Sequence, residues 1–330
     1  MHNSFKKLLL KSVVVIFSLN TMCLSTFSIN VSSDYDNLEK IANDIVEIET
    51  FEDAEGKVYT TYTKLDELVL AIQKNFPEKS NYDISKFILT YTGQDYEGMP
   101  DNIILEYLKY DNITTSVQYV GPSTNTSATN SATPYASWTD PDGYMRISTN
   151  YSYIETIGGE AFYEVWAQAK WLIYPITGFT DAFAIGTTAV FNDDFPEEAY
   201  VNQKFYCDVC GRTNTRYRYV DVDSPRDGDL SLENDDFVPS IKFQPLAPPC
   251  DFCGVLTQED TLFTVYLKYG VCATNSENIQ ASYGHGTIGF GDISVSIDTT
   301  GTPSFSSTLA LIVDTFTARA VTISHSTSDT

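Results

Sequence analysis

Met145-Arg-Ile-Ser-Thr-Asn-Tyr-Ser-Tyr153, then Gly158-Gly159, then Tyr163-Glu-Val-Trp-Ala-Gln-Ala-Lys-Trp171, is the stretch from which the fold is read. Met145, Ile147, Thr149, Tyr151 and Tyr153 alternate with Arg146, Ser148, Asn150 and Ser152. A period of two sends successive side chains to opposite faces of a strand, so this pattern predicts a strand with one buried and one wet face. After the glycine turn, Tyr163, Val165, Ala167, Ala169 and Trp171 alternate with Glu164, Gln168 and Lys170, which predicts the returning arm of a hairpin.

Further strands are expected over Ala182–Phe191, Arg216–Val222, Leu262–Ala273, Ile288–Asp298, Thr308–Phe316 and Arg319–Ser324. Many short strands, turns rich in Gly, Pro, Asn and Asp, and 22 Tyr with 19 Phe point to an antiparallel sandwich or open barrel. Upstream the period changes. Leu38, Ile41, Ile45 and Ile48 recur at helical spacing; Leu65, Leu68, Ile72 and Phe76 form a second stripe, with Thr63 as the expected cap and Pro77 as the stop. Ile84, Phe87, Ile88 and Tyr91 follow Asp83 and end at Gly93, and Ile104, Leu105 and Leu108 follow Pro100-Asp101. The fold class read from these patterns is α+β: a small N-terminal helical bundle (34–120), a polar linker without charge (121–134), and an antiparallel β-sandwich-like domain (135–330).

The sandwich region carries the strongest chemical signal. Cys207-Asp-Val-Cys210-Gly211 and Cys250-Asp-Phe-Cys253-Gly254 are near copies. Each sets two sulfurs two residues apart on a tight turn, and the glycine after it takes the positive φ that side-chain-bearing residues resist. Two such knuckles supply the four thiolates of a closed tetrahedral zinc site, so Cys207, Cys210, Cys250 and Cys253 are the expected ligands of a structural Zn2+. Two disulfides are the alternative, and bridges across the knuckles would staple the same loop. Four thiolates leave no open coordination position, which argues against a catalytic zinc. Between the knuckles run 39 residues, 211 to 249, with an acidic tract at Asp227–Asp236; the reading here is an insert (207–253) that loops out and returns.

Weaker motifs resolve to structure. Cys272 is read as a buried thiol and His285 as a turn or surface histidine. Gly284-His285-Gly286-Thr-Ile-Gly289 has the letters of a dinucleotide fingerprint, but a strand rather than a helix follows it, so it is read as a glycine-rich turn. Asp221, Asp223, Asp227 and Asp229 invite a calcium site, yet on an EF-hand loop Pro225 takes a ligand position and Asn234 replaces the closing glutamate. Glu160 with Glu164, or Asp193 with Asp194, are formal acid–base pairs that nothing separates from surface carboxylates. Trp138, Trp166 and Trp171 could stack on sugars if exposed, though burial is the commoner fate of tryptophan.

Lys6, Lys7 and Lys11 around the apolar run Leu8–Leu19, then small residues, describe a secretory signal peptide over 1–28. A net charge of −24 opposes binding to nucleic-acid phosphates and to anionic membranes. The strands from Ser294 to Ser324 lack the long alternation of a membrane-crossing hairpin, so stable membrane insertion is not expected. The expectation is a secreted, extracellular or cell-surface-associated interaction protein without enzymatic activity, with a protein or glycan ligand. The alternative is a secreted hydrolase acting on cell-wall or glycan material.

Overall fold

The computed structural model describes residues 32–52, 58–121, 123–124, 144–158, 160–172, 180–192, 197–235, 238–245, 249–254, 259–273, 276–288, 293–307, 312–318 and 321–323. In chain order the first elements are α1 (Ser32–Ile45), β1 (Glu47–Glu52), β2 (Val58–Thr63), α2 (Leu65–Asn75), α3 (Asn81–Tyr91), α4 (Asp101–Glu106), β3 (Ile113–Val120) and β4 (Ser123–Thr124). Then come β5 (Met145–Ile157), β6 (Glu160–Trp171), β7 (Asp181–Thr187), β8 (Val190–Asn192), β9 (Glu198–Cys207), β10 (Arg212–Asp221), β11 (Arg226–Asp227), β12 (Leu230–Asp235) and β13 (Val238–Phe243). The chain ends with β14 (Glu259–Ala273), β15 (Glu277–Ile288), β16 (Ile293–Ile297), β17 (Pro303–Ser307), β18 (Ile312–Thr317) and β19 (Val321–Ile323).

The hairpin read from the sequence is the centre of the molecule. β5 and β6 pair antiparallel from Met145 opposite Trp171 to Ile157 opposite Glu160, and Gly158 turns the chain at φ 64°. They sit inside a large sheet ordered β1-β2-β3-β5-β6-β14-β9-β10, with β8 also pairing β14. A second sheet runs β11-β12-β13-β7-β15-β18-β4, with β19 on β15. The two face each other across one apolar core: Ile147, Val165, Val201, Val265 and Leu267 from the first, Phe183, Ile185, Ile241, Tyr283 and Phe316 from the second. Trp171 meets Phe316 at 5.0 Å between ring centres, and Phe243 meets Phe263 at 5.9 Å. Each fully buried side chain of this size contributes roughly 1.5–3 kcal/mol. Two tyrosine hydroxyls bond across this core: Tyr269 donates to the Ile185 carbonyl at 3.1 Å, and Tyr151 to the Thr322 carbonyl at 3.2 Å. The α+β, sandwich-like class expected from the sequence is the observed one.

The helices pack on the opposite face of the large sheet. Leu65, Leu68, Ile72, Ile84, Phe87, Ile88, Ile103 and Ile104 form one cluster with Trp166, Tyr200 and Tyr266 of the sheet. The N-terminal segment, read as a helical unit, also supplies β1, β2 and β3 to this sheet, and β3 pairs β5 from Thr114 opposite Tyr151 to Val120 opposite Met145. Apart from Gly121, Ser123 and Thr124, the expected linker lies outside the described residues.

The helical layer overturns the expected wet face. Ser148, Asn150, Ser152, Glu164, Gln168, Thr264 and Asn202 are all buried beneath it. A strap over Gly93–Met99 crosses the sheet there: Arg146 donates to the Gly93 carbonyl at 2.6 Å, Gln94 donates to Asn150 at 2.7 Å, and Asn202 donates to the Gly98 carbonyl at 2.8 Å. Lys170 pairs with Asp95 at 2.7 Å and Glu97 at 2.6 Å. Farther along the same face, the buried Lys268 ammonium lies between Glu106, at 2.6 Å, and Glu198, while Lys109 meets Glu164 at 2.9 Å. Buried charge survives only when paired in this way. The alternation therefore marked two buried faces of different polarity.

Two local expectations change as well. Thr63 is the last residue of β2 and not a cap; Lys64, at φ 64°, turns the chain into α2, with its ammonium 2.5 Å from Glu47. The capping box belongs to α3, where Ser80 accepts from the Asp83 amide at 3.2 Å and Asp83 accepts from the Ser80 amide at 3.3 Å. Gly284 is no turn residue, because β15 runs straight through it. A Cβ there would lie 2.8 Å from the Phe305 ring of the β16–β17 hairpin, which covers the outer face of the second sheet with Ile293, Val295 and Phe305. His285 is buried, with Nδ1 2.7 Å from Asp181, whose other oxygen accepts from Tyr283 at 2.5 Å.

Candidate metal centre

The first knuckle is the turn between β9 and β10. Cys207 closes β9, the Gly211 amide donates to the Cys207 carbonyl at 2.8 Å, and Arg212 opens β10 opposite Cys207. The second knuckle repeats this geometry: the Gly254 amide donates to the Cys250 carbonyl at 2.8 Å. Gly211 and Gly254 stand at φ 68° and 69°, the left-handed region expected of them. Because β14 pairs β9 with Glu259 opposite Tyr206, both knuckles gather at one end of the strands β10, β9 and β14. The second knuckle also lies where the chain passes from β13 in one sheet to β14 in the other. A bond between the knuckles thus ties a hairpin turn to a crossover between the two layers.

The four sulfurs converge within 4.8 Å of one another. Cys207 Sγ lies 3.5 Å from Cys253 Sγ, and Cys210 Sγ 3.5 Å from Cys250 Sγ. Metal–thiolate bonds of about 2.3 Å in a tetrahedron set sulfurs about 3.8 Å apart, so the cluster has the dimensions of a four-thiolate cage. Cys207 and Cys250 are buried, Cys210 is half-buried and Cys253 is exposed. The Phe252 and Cys253 amides point at the Cys250 sulfur and hold its thiol down at about 6, whereas desolvation and the Cys250 neighbour push Cys210 up. Arg212 lies over the Phe252 ring at 4.0 Å, a cation–π contact between the knuckles. The x positions of the motifs point outward: Val209 is 66% exposed and Phe252 57%, beside Tyr206 at 39%.

The residues between the knuckles do not loop out. They build β10 in the first sheet and β11, β12 and β13 in the second. The acidic tract is held by basic and backbone donors: Asp229 pairs with Arg216 and with Arg218 at 2.7 Å and accepts from the Gln244 amide at 2.6 Å, and Asp227 accepts from the Tyr219 amide at 3.0 Å. Asp221 caps its own turn through the Ser224 amide at 2.7 Å. These carboxylates thus serve different partners rather than one cation. Among the described residues, the four cysteines form the group arranged to hold a metal ion.

The other singled-out residues fall apart in space. Cys272 lies in β14 opposite Phe162 and Val190. Glu160 is exposed, whereas Glu164 is buried against Lys109. Trp166 stacks on Tyr110 at 4.9 Å and Trp171 lies in the sandwich core, so neither offers a sugar platform. Asp193, Asp194 and Trp138 lie outside the described residues. The Lys268 cluster and the Asp181–His285 pair went unread in the sequence; the one available signal was polar residues on both faces of adjoining strands.

No protein-family model and no curated protein matches the chain. Among solved structures, the NetB toxin of Clostridium perfringens in its membrane-inserted form is similar at a TM-score of 0.22 and 10% identity, over 62% of this chain and 95% of that one. A likeness this low carries no argument about fold or function. Among the described residues, no helix is long and apolar enough to cross a membrane.

Proposed function

We propose that this chain is a secreted, extracellular or cell-surface-associated interaction protein without enzymatic activity, its sandwich pinned by a structural Zn2+ on Cys207, Cys210, Cys250 and Cys253. The observation that carries this reading is the cage itself: four sulfurs within 4.8 Å, on two glycine-terminated turns, one a hairpin turn and the other at the crossover between the sheets. A closed four-thiolate site stabilises and does not catalyse. It holds rigid a tip on which Val209, Phe252 and Tyr206 stand exposed, and loops fixed on stiff scaffolds often serve recognition. The basic, apolar and small-residue order of 1–28 supports export, and a net charge of −24 disfavours nucleic acid as a partner.

The hydrolase alternative finds paired carboxylates at Glu106 and Glu198, but Lys268 lies between them and ion-pairs with both, which suits a clamp between layers. The reading is tested with full-length protein on a glycan array and against cell-wall extract, alongside a Val209→Ser/Phe252→Ser variant. Retention by one of these, lost in the variant with zinc content unchanged, is the expected result. Retention unaffected by the variant would remove the tip from the account, and turnover of a cell-wall polymer would replace the binding reading with the hydrolase.

A further inference from the structure

Two sulfur–sulfur contacts join one knuckle to the other. Cys207 is paired with Cys253, and Cys210 with Cys250, each at 3.5 Å. Each pair couples one more exposed residue to one buried residue: exposed Cys253 with buried Cys207, half-buried Cys210 with buried Cys250. An accessible cysteine poised next to a resolving cysteine is the arrangement that favours thiol–disulfide exchange. The two pairs share no sulfur, so both bridges can form in one molecule. Within each knuckle the Gly211 and Gly254 amides bond back to the Cys207 and Cys250 carbonyls at 2.8 Å and hold the turn closed.

We infer that the four-cysteine cluster is a covalent modification site with two closed forms: metal-bound thiolates, and a pair of cross-knuckle disulfides, Cys207–Cys253 and Cys210–Cys250, made by exchange with a small-molecule disulfide. The inference deepens the zinc reading and rests on it. The exchange begins when the Cys253 thiolate attacks one sulfur of the small disulfide, forms a mixed disulfide and releases one small thiolate. Cys207 then attacks the Cys253 sulfur, forms the Sγ–Sγ bond and expels the second small thiolate. Cys210 and Cys250 repeat the sequence on a second molecule. Four protein thiolates are oxidised by four electrons, two small disulfides are reduced to four thiolates, and Zn2+ leaves for water. Because either form joins the β9–β10 turn to the crossover before β14, oxidation removes the metal without opening the clasp.

The test uses the zinc-loaded full-length protein and oxidised glutathione. Zinc release is followed with a chromogenic chelator, and bridges are mapped by mass spectrometry after cleavage before Asp208 and Asp251, which separates the cysteines of each knuckle. The expected result is about one zinc released for every two glutathione disulfides consumed, with peptides linking Cys207 to Cys253 and Cys210 to Cys250. A Cys207→Ser/Cys253→Ser variant should still form Cys210–Cys250, and faster than Cys207→Ser/Cys250→Ser forms Cys210–Cys253. Bridges within the knuckles, or four retained glutathiones, would overturn the inference while leaving the zinc reading intact. A protein that takes up no zinc yet forms the cross-knuckle bridges would overturn the zinc reading and leave the pairing standing.

Discussion

Replacing Lys268 by Met removes the cation from the layer between the helices and the large sheet. The Lys268 side chain is 2% exposed, and it faces Glu198 at 8% and Glu106 at 27%. Burial alone would lower the Lys268 pKa, but Glu198, Glu164 and Glu106 together raise it, so the lysine is charged at neutral pH. Methionine of similar length fills the space and leaves the carboxylates facing each other. Breaking a buried ion pair from one side costs about 3–5 kcal/mol. The lower end applies because Glu106 reaches water and because burial already raises the Glu198 pKa, which lets it take a proton. The expected loss is about 3 kcal/mol at pH 7.5, shrinking toward pH 5 as Glu198 is neutralised. Adding Glu198→Gln to Lys268→Met should recover more than half of it, a coupling read by the double-mutant cycle. Urea unfolding followed by circular dichroism measures this, with the slope held constant between variants. A Lys268→Met protein within about 0.5 kcal/mol of the parent, the scatter of neutral surface changes, would refute the reasoning. An equal loss at both pH values would refute the part assigned to Glu198.

Gly284→Ala drives a methyl to 2.8 Å from the Phe305 ring and should cost about 1–3 kcal/mol in the same urea assay. Phe305→Leu in that background should return part of it, and a neutral Gly284→Ala would mean that the β16–β17 hairpin does not press on β15. At His285, burial pulls the pKa down, but Asp181 and the more distant Asp314 outweigh it and raise it above 6.5. The His285–Asp181 pair, flanked by Tyr283 and Asp314, therefore contributes fully below about pH 6.5 and fades as pH rises through the higher folded value. The parent should lose stability more steeply than His285→Gln just above pH 6.5; parallel profiles would remove that pair from the stability account.

What was legible in the sequence and what was not divides along physical lines. The β5–β6 hairpin could be read because the period of two and the Gly158-Gly159 turn are local signals, and α3 because Ile84, Phe87, Ile88 and Tyr91 repeat at helical spacing after Asp83. The knuckles could be read because Cys, spacing and glycine state their geometry within five residues. Period two assigns side chains to faces but does not say what covers a face. The cover over Ser148 and Asn150 comes from residues more than fifty positions earlier, so a buried polar layer resembled a wet one. The acidic tract resembled a solvated loop for a similar reason: Arg216 and Arg218, which neutralise Asp229, become its neighbours only when β10 and β12 stack. Gly284 was read as a turn because a glycine under an aromatic ring leaves the same trace in a sequence as one with a positive φ.

The clasp depends on the two knuckles sharing one metal ion. X-ray absorption at the zinc edge, on full-length protein purified without a metal column, reads this directly when combined with metal analysis. The expected result is one zinc per chain with four sulfur neighbours at about 2.3 Å. Removing it with a chelator under reducing conditions should lower the unfolding midpoint, since a metal that binds only the folded chain adds its binding free energy to stability. A chain that holds no zinc, or a zinc bound through nitrogen or oxygen in place of the four sulfurs, would contradict it.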